Sequence, residues 1–201
     1  MPKLEKVDTS STVGLRNVVV AFMVKDDADG TTYETDIQPL AGTIEAVITP
    51  ENTDPEVQDA DDGEFDAVYP SPHGTLALNM VDIPISLRPR ILGGRIDNNG
   101  VLINGTKDTV PYIALGFISQ KANQEDRYTW MYKLRARPMA ENYATRGTTS
   151  VTRQQAQITF DYMVRVSDGE WRGMVDTDEE DFTPEKAATF FDTVYEPSFG
   201  A

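Results

Sequence analysis

No cysteine occurs anywhere in the 201 residues. That excludes disulfides, thiolate metal sites and a cysteine nucleophile. There is one histidine, His73. Zinc would have to be held by carboxylates almost alone, and a histidine-based triad would have this single residue to use. No GxSxG elbow, GxGxxG loop or Walker loop is present, and Gly93-Gly94 stands without the remainder of either phosphate-binding pattern. No apolar run is long enough to span a bilayer. The opening MPKLEKVDTSSTVG lacks the apolar stretch of a secretion signal, so the expected site of synthesis is a bacterial-type cytoplasm. Basic residues are also scarce: 18 against 33 acids, for a net charge of −15. Such a chain repels phosphate backbones, so a nucleic-acid role is expected only if DNA is to be contained without being gripped.

What is present is a succession of short strands. Arg16–Val24 (RNVVVAFMV) is β-branched and aromatic, and stops at the turn cluster KDDADG. Residues 31–35 complete a hairpin, and residues 42–49 form a further strand ended by Pro50. Leu76, Leu78 and Met80 alternate with Ala77 and Asn79, a period-two pattern with one buried face. Ile83, Leu87 and Ile91 recur at helical spacing after Asp82, so a helix is predicted over 83–93, ended by Gly93-Gly94 and interrupted by Pro89. Asn99-Gly100 marks a tight turn. Residues 110–119 and the aromatic 127–134 (RYTWMYKL) read as a hairpin across QKANQED. Ile158, Phe160, Tyr162, Val164 and Val166 alternate in the next strand, and Asp168-Gly169 turns into a last strand at 171–175.

The predicted organisation is an arm at 1–13, a mainly β domain at 14–175, and an acidic linker with a C-terminal helix at 176–201. The fold class is an antiparallel β-sandwich or barrel with one flanking α-helix. Within it, an extended acidic loop is expected over 51–70. Residues 51–66 hold eight carboxylates and no base, which suits either a solvated loop or a hairpin reaching a neighbour. In the C-terminal helix, Ala187, Phe190, Phe191 and Val194 form an apolar stripe that must dock on the domain or on another chain.

Asp27, Asp29 and Gly30 sit like part of a calcium loop, but Lys25 stands at the first ligand position, so an ordinary turn is expected. The aromatic strand 127–134 reads first as a core or interface strand; the alternative is a carbohydrate-binding β-sandwich, whose sugar platform would need Trp130 and Tyr132 exposed. A hydrolase built on paired carboxylates rests only on the abundance of acids. Residues 127–153 carry six bases and one acid, Glu141, opposite in sign to the acidic block. That asymmetry suits contacts between identical subunits, with Asp59, Asp61, Asp62 and Glu64 on one side and Arg135, Arg137 and Arg146 on the other.

The order GLRNVVVAFMVKDDADGTTY, PLAGTIEAVITPE, DADDGEFD, GTLALNMVDIP, ILGG, DNNGVL, VPYIALGF and RYTWMYKLRA, closed by the late DGEW hairpin, resembles the major tail protein family of siphophages infecting Gram-positive bacteria. The resemblance spans about residues 14–175. It implies a tail-tube fold and a structural, non-enzymatic virion protein without cofactor or metal. It further implies hexameric rings stacked into a tube and assembled in the host cytoplasm. The implied partners are other copies of the chain, a tape-measure protein, tail terminator and distal tail proteins, and double-stranded DNA passing through the lumen. The Asp, Glu and Arg residues above would then lie in subunit contacts, together with the N-terminal arm.

Overall fold

The computed structural model describes residues 10–51, 56–60, 63–141, 143, 145, 155–179 and 181–199. The elements in chain order are β1 (Thr12–Asp27), β2 (Gly30–Tyr33), β3 (Gln38–Pro39), β4 (Thr43–Pro50), β5 (Glu56–Ala60), β6 (Gly63–Val68), β7 (Gly74–Met80), α1 (Arg88–Leu92), β8 (Arg95–Ile96), β9 (Leu102–Ile103), β10 (Tyr112–Lys121), β11 (Asp126–Ala136), β12 (Ala156–Tyr162), β13 (Arg172–Asp176) and α2 (Pro184–Thr189). The fold is mainly β, with two short helices, as the alternation in the sequence predicts.

One large sheet runs in the order β2–β1–β10–β11–β12–β7–β4, antiparallel at every step. Two strands branch from it: β3 pairs with β1, and β13 pairs with β11. The sheet folds over a single apolar interior. One wall is Val18, Val20 and Phe22 from β1, Ile113, Leu115 and Phe117 from β10, and Met131 and Leu134 from β11. The other is Leu76, Leu78 and Met80 from β7 with Ile158, Phe160 and Tyr162 from β12. Each such side chain removed from water stabilises the fold by about 1.5–3 kcal/mol. Among the described residues no helix is long and apolar enough to cross a membrane.

Two bulges set which side chains face this interior. In β1, Arg16 pairs with Ile118 but Val19 with Gly116, so β1 carries one extra residue there. Asn17 absorbs it at φ 50°, a left-handed conformation that asparagine tolerates better than most residues. In β11, Met131 pairs with Leu115 and Leu134 with Ile113. The extra residue lets Met131 and Leu134, three positions apart, both point inward, while Trp130 and Tyr132 on either side of Met131 face outward.

The helix predicted over 83–93 is shorter than its apolar spacing suggests. Leu87 and Arg88 N–H both donate to the Pro84 carbonyl at 2.9 and 3.1 Å, closing a turn instead of a helix. Pro89 has no N–H, and it fits only because α1 starts at Arg88 and leaves it in the first turn. Asp82 does not cap the helix; its carboxylate accepts from the N–H of Ile83 at 2.8 Å. The inward face was nonetheless legible, because Ile83 and Ile91 are each 1% exposed and Gly93, at φ 80°, ends the helix. The Asp97–Gly100 turn forms as the sequence predicts. The Asp97 carboxylate accepts from the N–H groups of Asn99 and Val101, each at 2.8 Å, and joins β8 to β9.

The alternation extended through Val164 and Val166 does not survive. β12 ends at Tyr162, and the chain turns so that Arg165 is buried while Val166 is 62% exposed. The 51–70 stretch, expected as an extended acidic loop, contains a two-stranded hairpin, β5 with β6.

Candidate functional site

The outer face of β1–β10–β11 is as apolar as the inner one. Ala21, Ala114, Trp130 and Tyr132 lie there, covered by Phe190 and Val194 with Phe182 and Phe191 beside them. Of the stripe expected on a C-terminal helix, Phe190, Phe191 and Val194 lie beyond α2, which ends at Thr189, and they dock on their own domain. Gly116 makes the close approach possible: a Cβ at that position would stand 2.6 Å from the Phe191 ring. Phe191 meets Trp130 edge-on at 5.4 Å between centroids, and the Trp130 indole N–H donates to the Phe190 carbonyl at 3.1 Å. Trp130 and Tyr132 are 0% and 1% exposed, so the aromatic strand offers no face to a sugar.

Buried charges fasten the same region. The Arg165 guanidinium, fully buried, donates to Glu196 at 2.9 Å and to Asp168, and lies 4.3 Å from the Tyr132 ring centre. Burial alone would depress its pKa; Asp168, Tyr33 and Glu196 outweigh that and raise it. Lys133 Nζ pairs with Asp26 at 2.5 Å. Burial pushes the Asp26 carboxyl up, but Lys133, the Val166 N–H and the Thr31 hydroxyl together hold it below its ordinary value. At the far end of β11, Arg127 grips Asp176 through two bonds of 2.6 and 2.8 Å, and Lys121 reaches the same carboxylate at 2.8 Å. Arg127 first and Lys121 second hold Asp176 down to about 2 against the opposing effect of burial. Sequence reasoning missed these groups. Asp26 and Lys133 lie 107 positions apart, and no local spacing announces their meeting.

The other half of the sheet is open. Among the described residues β4 hydrogen-bonds to β7 alone, leaving its second edge unpaired over an eight-residue strand. Ile44 and Val47 are 49% and 43% exposed on it, and Glu45 is its one charge. The outer face beside it is polar: Asn79 donates to Glu45 at 2.8 Å, and Gln157 to Asn79 at 2.9 Å. The strand leads towards the β5–β6 hairpin, in which Asp59 stands opposite Glu64 and Gln58 opposite Asp66.

The candidate contact residues fall in different places. Asp59 and Glu64 are register partners in the hairpin. Asp61, Asp62 and Arg146 lie outside the described residues. Arg135 is exposed near the end of β11, its guanidinium 5.6 Å from the Tyr112 ring centre. Arg137 pairs within the chain, with Asp161 at 2.6 Å. His73 bonds locally through Nδ1 to the Ser71 carbonyl at 2.9 Å. The KDDADG segment is a turn, with Lys25 paired to Asp27 at 3.0 Å and the Asp29 N–H donating to Asp27. Among the described residues no group of three or more His, Cys, Asp or Glu side chains is placed to hold a metal. No protein-family model matches the chain, and no curated protein matches it.

Proposed function

We propose that the chain is a structural tube subunit of a phage tail, polymerising as stacked hexameric rings around a lumen that conducts DNA. One observation carries most of the weight: a long, nearly uncharged strand edge, β4, stands open among the described residues. Natural sheets shorten, charge or cover such edges, because unpaired N–H and C=O groups recruit other strands. The opposite edge of this sheet is short and broken, formed by the four residues of β2 and the two of β3. An edge of the β4 kind suits a protein whose neighbour supplies the missing strand.

The net charge of −15 fits the same role. Repeated around a ring, it repels a passing duplex instead of retaining it. The order of sequence blocks from residue 14 to 175, with its resemblance to siphophage major tail proteins, gives the reading its specific form. Tape-measure and tail-end proteins are then the expected partners, and the virion the expected location.

Negative-stain electron microscopy of the purified chain at high concentration, at low and at high salt, tests the proposal. Rings or hollow tubes are the expected result. Small monodisperse particles under every condition, with no growth on added preformed tube ends, would overturn it.

A further inference from the structure

Two Asn-Gly pairs occur in the chain, Asn99-Gly100 and Asn104-Gly105. The first lies in the turn between β8 and β9, the second just after β9. Glycine leaves its own backbone nitrogen unguarded, so the carbonyl carbon of a preceding asparagine side chain can approach it. The local sequence treats the two pairs alike, but the structure does not.

Asn99 and Gly100 are exposed, and a Cβ placed on Gly100 would meet nothing within 4 Å. The Gly100 N–H donates to a neutral acceptor, the Asp97 carbonyl, at 3.1 Å. The Asp97 carboxylate takes the N–H groups on either side, those of Asn99 and Val101, each at 2.8 Å. The Asn99 side-chain Nδ2 donates to the same carboxylate at 3.3 Å, which holds the amide over the turn. The Gly105 N–H instead donates to the Asp108 carboxylate, at 2.6 Å. If that nitrogen lost its proton, one anion would form at hydrogen-bond distance from another. Arg95 comes only to 3.6 Å from the other Asp108 oxygen, too far for a hydrogen bond.

The geometry points to Asn99 as a self-modifying residue: it deamidates through a cyclic imide with Gly100, while the Asp108 carboxylate protects Asn104 from the same reaction. The Gly100 nitrogen gives its proton to solvent base, and its electron pair attacks Asn99 Cγ. The Cγ–Nδ2 bond breaks, and the amide nitrogen takes a proton from water and leaves as ammonia. Water then adds to one of the two imide carbonyls. Opening at Cγ gives aspartate. Opening at the backbone carbonyl carbon gives isoaspartate, in which the main chain runs through the former side chain. Water is the only co-reactant, and nothing is oxidised or reduced.

Either product puts a second carboxylate into the turn. Asp97 is already charged there, held below the ordinary carboxylate range by the N–H groups of Val101 and Asn99. Like charges side by side disfavour the turn. Isoaspartate also adds a methylene to the main chain, so the Gly100 N–H no longer meets the Asp97 carbonyl in the same register. Among the described residues β8 and β9 pair only with each other. A lone two-stranded hairpin is marginal in water. The modification therefore loosens this hairpin and leaves the large sheet intact, whether or not the chain assembles.

The test holds the purified chain in mildly alkaline buffer, samples it over days and maps tryptic peptides by tandem mass spectrometry. Both asparagines fall within one tryptic peptide, residues 96–107, so fragment ions assign the change in mass to one or the other. Loss of the amide at Asn99 is expected to run about tenfold faster than at Asn104, with isoaspartate detected by enzymatic methylation. In denaturant, where no turn distinguishes the sites, the two rates should agree within about twofold. Equal rates in the folded chain, or Asn104 ahead of Asn99, would overturn the assignment. So would a folded chain in which neither site reacts while both react in denaturant. The variant Asp108→Asn isolates the shield: it replaces the charged acceptor by a neutral one, and should speed Asn104 about fivefold without changing Asn99. An unchanged rate at Asn104 would overturn the protective role of Asp108.

Discussion

The two halves of the sheet solve the same problem in opposite ways. β1, β10 and β11 are buried on both faces, the inner one by the main core and the outer one by the C-terminal aromatics. β12, β7 and β4 are buried on one face only, and carry a polar ladder on the other and an open edge at β4. The first half is finished within the chain. The second leaves one face and one edge uncovered among the described residues.

The largest effect that would break this contrast is expected at Trp130. Trp130→Ala removes a fully buried ring and its bond to the Phe190 carbonyl, and should cost about 3–5 kcal/mol, read as a lower urea midpoint. If the loss were instead below about 1 kcal/mol, the outer face would not be a true second core.

Next comes Gly116→Ala. Its Cβ meets Phe191 at 2.6 Å, so a loss of about 1–3 kcal/mol is expected, with limited proteolysis releasing the C-terminal segment first.

Acid should act on the same half. Asp176 titrates at about 2 in the fold against an ordinary 3.8, so its contribution is complete above the unfolded value and lost as pH falls from about 4 to about 2. The loss is on the order of 1–2 kcal/mol, measured by denaturation at pH 5 and pH 2. Asp26 and Asp168, both held below their ordinary values, shift the same way.

The smallest change in stability should come from the open half. Val47→Lys puts a charge on a half-exposed edge position, and should alter stability by no more than about 0.5 kcal/mol while abolishing tubes in the microscope. A Val47→Lys chain that assembled normally would show that β4 is not the joining edge.

The sequence announced the inner core well, because period-two alternation at Leu76, Leu78 and Met80 depends only on neighbours along the chain. It was weaker wherever a distant residue decides. The aromatic strand reads as a core or interface strand, but the segment that covers Trp130 and Tyr132 comes from about 60 positions further along the chain and leaves no local mark. The stripe at Phe190 and Phe191 showed that something must be covered, but the slot at Gly116 that receives it lies on another strand. Arg165 interrupts what reads as continued alternation, and its burial makes sense only with Asp168 and Glu196 in place. The open β4 edge had no signal beyond its low charge, since an edge is defined by the strand that is missing.

Gly116 carries one more lesson, about how substitutions combine. In a strand interior glycine is a poor choice on its own, since it packs nothing and holds the chain loosely. Here it is favoured because Phe191 fills the space above it and the edge of the Trp130 ring stands 3.0 Å from where a Cβ would be. Once the Phe191 ring is removed, by Phe191→Ala for instance, the penalty for alanine at 116 should shrink, while Trp130 still resists anything larger. The worth of a side chain at 116 is thus a conditional quantity, with its size set by two other residues.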